Sequence, residues 1–215
     1  MANLCLYMTP GSCSTAIHII LEELEEVFEA AIVNLPAGDH FKPEYVALNP
    51  KSTIPALRLR NGQVLTEVLA IAYWLGRSNP RAGLWPAEVG AETKALEVMS
   101  YVTATVHGQG FARLFATGSF TRNEADWEAV RALGRDIVDK GFAILGATLA
   151  SEGYALGSYS VVDPVLFYVE FWADKTGLAL PERLLAHYRL MLARPAVNRV
   201  LREEGYDPSR LAQTG

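Results

Sequence analysis

Pro55-Ala56-Leu57-Arg58-Leu59-Arg60-Asn61-Gly62-Gln63-Val64-Leu65-Thr66 reads as a tight β-hairpin. Asn61-Gly62 supplies the positive φ values that a two-residue turn needs, so strands are expected over 55–59 and 63–66. Directly after it, residues 67–77 take up helical periodicity through Leu69, Ala70, Tyr73, Trp74 and Leu75. Upstream, Leu4, Leu6 and Met8 alternate with Cys5 and Tyr7, the pattern of a buried strand over 3–8. Thr9-Pro10-Gly11-Ser12 breaks that strand. Ser12 can then cap a helix whose apolar face holds Ala16, Ile17, Ile20, Leu21 and Leu24. A second strand fits 27–35, Pro36-Ala37-Gly38-Asp39 is a loop, and 42–48 is at most a short irregular helix. The order is β-α-β, then β-β-α.

That order resembles the thioredoxin-type arrangement. Residues 78–90, with Pro80, Gly83 and Pro86, are punctuated like an interdomain linker. Beyond them no strand signal stands out, and helices fit 91–115, 123–150, 160–176, 181–193 and 196–204. Ser160-Val161-Val162-Asp163 has the form of a capping box, with Asp in place of Glu. The expected fold class is an α/β domain over 1–79, a linker over 80–90 and an all-α helical bundle over 91–205. The polar end, 206–215, is expected to fray.

With 215 residues the chain can bury a sizeable core. A formal charge of −5 and a pI near 5.4 argue against nucleic acid or an anionic membrane as the main partner. Cys5 and Cys13 would close only a tiny loop if paired, and no basic n-region or long apolar run marks a secretion signal or membrane span. The expected compartment is the reducing cytoplasm.

Several residues can carry chemistry. Cys13 follows a strand–turn at the first turn of a helix, where free N–H groups and the helix dipole favour an anion and would lower a thiol pKa. A buried small apolar residue is the equally weighted alternative, and it is the reading for Cys5. Ile54-Pro55 is a constrained turn before a strand; a cis bond there would offer the Ile54 backbone to an extended peptide ligand, although trans is the commoner state. Glu67, at a helix mouth, either compensates the dipole or receives an ammonium group. His107 is helical, and a lone helical histidine is more often structural than catalytic. His18 reads as structural, and His40 and His187 carry no specific signal. No His, Cys or carboxylate set has metal-ligand spacing, so no metal is expected.

In combination these segments resemble the beta class of bacterial glutathione S-transferases. Tyr7-Met8-Thr9-Pro10-Gly11-Ser12-Cys13-Ser14 with His18 resembles that class's Tyr-Ser-Pro-Gly-Ala-Cys-Ser opening. Asn49-Pro50-Lys51-Ser52-Thr53-Ile54-Pro55-Ala56-Leu57 is similar to its Asn-Pro…Val-Pro-x-Leu segment. Leu65-Thr66-Glu67 with Ala70-Ile71, His107 with Leu114-Phe115, and Ser160-Val161-Val162-Asp163 continue the match in order along the chain.

The resemblance implies a homodimeric transferase that conjugates glutathione, its co-substrate, to hydrophobic electrophiles in detoxification. Ile54 and Pro55 would hold the cysteinyl backbone of glutathione, and Glu67 with Val68 its γ-glutamyl end. Cys13, His107, Ser14 and Tyr7 would surround the sulfur, with Ser100 at the helical family Asn position. A glutathione-dependent disulfide or peroxide reductase working through a Cys13 mixed disulfide is the alternative enzyme. A transferase-like binding protein is the non-enzymatic one. Departures accompany the match. Val68 replaces the usual Ser or Gly, Gly108 replaces a lysine, and Ala37-Gly38 stand where the family has a loop lysine, leaving Lys42 as nearest substitute. Charge-assisted contacts are worth about 1.5–3 kcal/mol each, so weaker glutathione binding is expected.

Overall fold

In the computed structural model, residues 3–212 are described. β1 (Leu4–Met8), α1 (Ser14–Glu23) and β2 (Phe28–Ile32) form the first unit. A short α2 (Pro43–Leu48) leads to the hairpin β3 (Ala56–Arg58) and β4 (Val64–Thr66), and α3 (Val68–Ser78) closes the series. The sheet order is β2-β1-β3-β4, with β1 and β2 parallel and the other pairs antiparallel.

The hairpin differs from the expected two-residue turn. The Gly62 N–H donates to the Leu59 carbonyl at 2.9 Å, and the Leu59 N–H donates to the Gln63 carbonyl at 2.7 Å. That is a three-residue loop, Arg60-Asn61-Gly62, in which Gly62 alone takes a positive φ, of 87°. Asn61 keeps an ordinary backbone, because a type I turn followed by one left-handed residue already matches the strand twist. The second strand is also shorter than the expected 27–35: Val27 is exposed before it, and it ends at Ile32, with the Val33 N–H still donating to the Met8 carbonyl at 2.7 Å.

After the 3₁₀ turn Pro80–Ala82, α4 (Val89–Tyr101) runs into a π-helical stretch, Val102–Phe111, and on into α5 (Ala112–Phe115). α6 (Trp127–Thr148), α7 (Val162–Thr176), α8 (Glu182–Leu192) and α9 (Pro195–Glu203) follow. α7 begins at the capping box: Asp163 Oδ2 accepts from the Ser160 N–H at 2.7 Å, and Ser160 Oγ accepts from the Val162 N–H at 3.3 Å. Twelve successive α7 residues, Val162 to Ala173, are buried. A helix apolar on all sides belongs at the centre of a bundle, and α7 packs against α1, α3, α4 and α8.

One core runs through both parts of the chain. Ile17, Ile19, Ile20 and Leu21 of α1 are at most 1% exposed, each contributing about 1.5–3 kcal/mol of burial. The far side of α1 meets the helices through a bidentate Glu23–Arg194 pair at 2.7 Å and through His18, whose Nδ1 lies 2.9 Å from Glu204 Oε1. The expected frayed end is instead docked through its described residues. Pro208 is buried, and the Ala212 N–H donates to Asp174 Oδ2 at 3.0 Å. The apolar members of an otherwise polar stretch supply the contacts. Residues 213–215 lie outside the described region.

Candidate active site

The turn after β1 is closed by its own hydroxyls. Ser12 Oγ donates to the Thr9 carbonyl at 2.7 Å and accepts from the Ser14 N–H at 3.1 Å, while the Thr9 N–H donates to Ser14 Oγ at 3.2 Å. Gly11 holds a φ of 73°. A Cβ there would collide with the Tyr206 hydroxyl, so glycine is required twice over. The turn is gripped from the helical side. Its Gly11 N–H donates to Glu204 Oε2 at 2.7 Å, and Trp172 Nε1 donates to the Gly11 carbonyl at 2.8 Å.

Cys13 sits at the start of α1 and its Sγ donates to the Ile54 carbonyl at 3.6 Å. Burial pushes the thiol up to about 12 and the Glu67 carboxylate adds to the rise, against the lowering pull of the Cys13 and Ser14 backbone N–H groups. The expectation of a lowered pKa is therefore corrected. With its thiol buried, desolvation of the thiolate exceeds what a helix start returns. Cys13 is a protonated thiol at neutral pH.

The Ile54–Pro55 bond is cis. The loop before it is shaped by Tyr45 Oη and Asn49 Nδ2, which both donate to the Thr53 carbonyl, at 2.6 and 2.8 Å. Glu67 opens α3 with a φ of 72°, a backbone conformation that costs a non-glycine residue about 1–3 kcal/mol. Its carboxylate meets Lys51 Nζ at 2.7 Å.

Opposite this wall stands His107, in the π-helical stretch. Its ring packs edge-on against Trp172, with centroids 4.8 Å apart, and its Nδ1 lies 3.2 Å from Tyr168 Oη. Burial lowers the imidazole pKa to about 4, so it is neutral at physiological pH. Tyr168 is fully buried with its phenol pushed well above its ordinary range, first by burial and then by Cys13. The buried Tyr168 hydroxyl has no other hydrogen-bond partner among the described residues, so its proton is satisfied only by donating to Nδ1. That assigns the histidine proton to Nε2 and makes His107 a neutral donor.

These walls enclose a cleft of about 880 Å³, within the range of small-molecule sites. Of the sequence candidates, Cys13, Ile54, Glu67, Val68 and His107 line it. Pro55 is buried in the strand start behind Ile54. Three others are placed elsewhere. Tyr7 faces Tyr45 and Arg58, because it lies on the β1 face away from the cleft. The Ser14 hydroxyl is consumed inside the turn. Ser100 is exposed on α4; the wider i→i+5 winding that follows means a spacing of seven no longer returns to the face of His107. Lys42 pairs with Asp39 at 2.7 Å outside the cleft.

Sequence reasoning missed Lys51, Tyr168, Trp172, Lys175, Tyr206 and the gripping carboxylate of Glu204. Tyr168 and Trp172 share a face of α7 at a spacing of four, a signal available once the capping box was seen. It also passed over His40, which lines the cleft from the β2–α2 loop with an unpaired Nδ1. His187 is fully buried between Glu170 and Asp163, at 2.8 and 3.1 Å. The fold further gathers His18, Glu22 and Glu203, whose ligating atoms lie within 4.8 Å of one another. Arg199 pairs with this Glu22 at 2.7 Å.

Comparison with known proteins decides the family. A model of the glutathione S-transferase N-terminal domain matches residues 11–78. The glutathione S-transferase GstA of Escherichia coli O157:H7 is 32% identical over 93% of this chain and 98% of its own length. This chain belongs to the glutathione S-transferase family. A glutathione transferase homologue from Sulfitobacter, solved with bound glutathione, superposes with a TM-score of 0.87 at 28% identity, covering 94% of this chain and 99% of that one. A beta-class glutathione S-transferase from Sphingomonas chungbukensis gives 0.79 at 27% identity, covering 94% and 100%. With its relatives, this member of the family is a glutathione-dependent transferase.

Proposed function

We propose that the cleft binds glutathione along the Ile54–Glu67 wall, stabilises its thiolate with His107 and passes it to a hydrophobic electrophile held against the α7 aromatics. The observation that carries this reading is geometric: Cys13, the Ile54 backbone and Glu67 from one wall and His107 from the other line a single cleft. Cys13 is a protonated thiol and His107 is a neutral imidazole with its proton on Nε2. A neutral donor at an anionic sulfur favours the thiolate without a full charge in the wall; His107 offers Nε2–H for this, and the Cys13 Sγ–H, which donates to the Ile54 carbonyl at 3.6 Å, would turn to join it. The Ile54 backbone and the Glu67 carboxylate supply the peptide and ammonium contacts, with Val68 contributing its N–H alone. His40 and Lys51 also line the cleft, with Lys51 paired to Glu67 at 2.7 Å.

Burial that keeps the Cys13 thiol protonated disfavours reduction through a Cys13 mixed disulfide, since the attacking species there is a thiolate. An aryl halide and a glutathione mixed disulfide, assayed side by side, test the choice. Conjugation that survives in Cys13→Ala, with little reduction by either protein, supports the reading. Cysteine-dependent reduction in the absence of conjugation refutes it.

We further place the enzyme in the reducing cytoplasm as a detoxifying homodimer, each N-terminal domain packing on the partner's helices. Its two free cysteines are consistent with that compartment, and no described helix is long and apolar enough to cross a membrane. Light scattering at micromolar concentration tests the dimer, and a monomer mass removes it.

A further inference from the structure

Lys175 lies four residues after Phe171 and three after Trp172, so the three share one face of α7, and all three line the cleft. Its Nζ is 5.5 Å from the centroid of the Tyr206 ring, within reach of a cation–π attraction. The hydroxyl of that same ring rests on Gly11, two residues before Cys13. The Tyr206 ring thus spans the gap between the turn that presents Cys13 and the Lys175 ammonium.

Charges in the cleft are unevenly paired. Lys51 is neutralised by Glu67. Among the described residues Lys175 has no carboxylate within ion-pair distance, which makes it the one lysine or arginine of the cleft left without a partner. Around it stand flat apolar surfaces: Phe115 and Trp172 meet edge to face at 5.2 Å, and Phe171 and Tyr206 at 4.9 Å. Such walls suit an aromatic guest, and an unpaired ammonium at their end suits one with a negative charge.

We infer that Lys175 makes the helical end of the cleft selective for aromatic electrophiles carrying an anionic substituent about one ring away from the reacting carbon. The inference rests on the conjugation reading above and names its substrate class. In the reaction the glutathione thiolate attacks the ring carbon bearing a halide. The C–S bond forms, the carbon–halogen bond breaks, the halide leaves with the bonding pair, and the thiol proton passes to solvent.

The test compares para-chloro-meta-nitrobenzoate with its uncharged carboxamide at saturating glutathione, in the wild type, Lys175→Met and Lys175→Glu. Lys175 is exposed, so on the scale of an exposed ion pair kcat/KM for the benzoate should fall about threefold to fivefold in Lys175→Met and further in Lys175→Glu. The carboxamide value and the KM for glutathione should change by less than about twofold, the scale of a removed contact that neither ligand uses. Equal losses on both halides, or a loss confined to the KM for glutathione, overturn the proposal; the latter would assign the lysine to a glutathione carboxylate. If the wild type conjugates neither halide, it is the conjugation reading that fails. The lysine is then decided by binding, titrating the S-(carboxynitrophenyl) glutathione adduct and its carboxamide against tryptophan fluorescence. Weakening of the carboxylate adduct alone in Lys175→Met supports the assignment, and equal affinities in both proteins refute it.

Discussion

The N-terminal wall of the cleft presents backbone and short side chains at the Ser12–Cys13 turn, Ile54 and the Val68 helix start, together with His40 and the paired Lys51 and Glu67. The helical wall presents long rings and a lysine: His107, Phe115, Trp172, Lys175 and Tyr206. The first is fixed by local devices, namely hydroxyls closing a turn, a cis peptide bond and two non-glycine residues at positive φ, Ser52 and Glu67. Ring packing and long-range hydrogen bonds fix the second. Rigid backbone suits a partner that never changes, and exchangeable side chains suit one that varies between enzymes.

The two walls meet at Glu204, which provides the sharpest way to break the comparison. Its buried carboxylate accepts from the Gly11 N–H at 2.7 Å and Thr15 Oγ1 at 2.7 Å, and lies 2.9 Å from His18 Nδ1. Glu204→Ala strands these groups and should cost about 3–5 kcal/mol in urea unfolding. A loss below about 1 kcal/mol, the level of an exposed pair, would mean that the walls are joined by packing alone.

The helical wall has its own foundation in His187. Burial lowers its pKa, but Glu170 and Asp163 outweigh that and raise it to about 9, above the ordinary histidine value of about 6.5. Because the folded value is the higher one, its contribution is complete below about pH 6.5 and is lost as pH rises through about 9. Stability should fall across that window with a slope of at most roughly 1.4 kcal/mol per pH unit, set by His187 together with Glu170, whose own carboxyl is pushed up by burial. His187→Gln should flatten the decline, and an equal slope in the variant would refute the assignment.

Removing the donor at the heart of the helical wall should act on rate rather than folding. His107→Ala should lower kcat/KM about 10- to 100-fold, the loss of one hydrogen bond to a charged atom. Burial holds this imidazole near 4, so the wild-type rate should show no histidine step between neutral pH and about pH 5. A step near the ordinary histidine value would mean that His107 acts in its charged form.

The smallest effect belongs to the N-terminal wall. Val68→Ser restores a hydroxyl at the start of α3, and calorimetry should show glutathione binding about twofold to tenfold tighter. Unchanged affinity would mean that the ligand does not reach that position.

The same contrast explains what could be read from the residues alone. Turn, proline and helix-start chemistry in neighbouring residues marked Cys13, Ile54 and Glu67 as candidates, but left each with an ordinary structural alternative; only the family resemblance joined them, and Val68, into one site. The hairpin was found but its loop was not, since Asn-Gly serves a three-residue turn as well as a two-residue one. Glu204 and Lys175 are distant in sequence from the turn they flank, and no periodicity ties them to it. Of the two readings of Cys13, burial holds and the lowered pKa does not, for a related reason: a helix start is a local signal, whereas the burial that overrides it depends on the whole fold.

Ultraviolet titration of the thiolate of bound glutathione tests the central claim most directly, using wild type, Cys13→Ala and His107→Ala at saturating glutathione. If the walls act as neutral donors to the substrate's sulfur, bound glutathione should ionise below its solution pKa in the wild type. Cys13→Ala should retain most of that shift, and His107→Ala should lose most of it. Loss of the shift in Cys13→Ala with none in His107→Ala would contradict the account and return the chemistry to the cysteine.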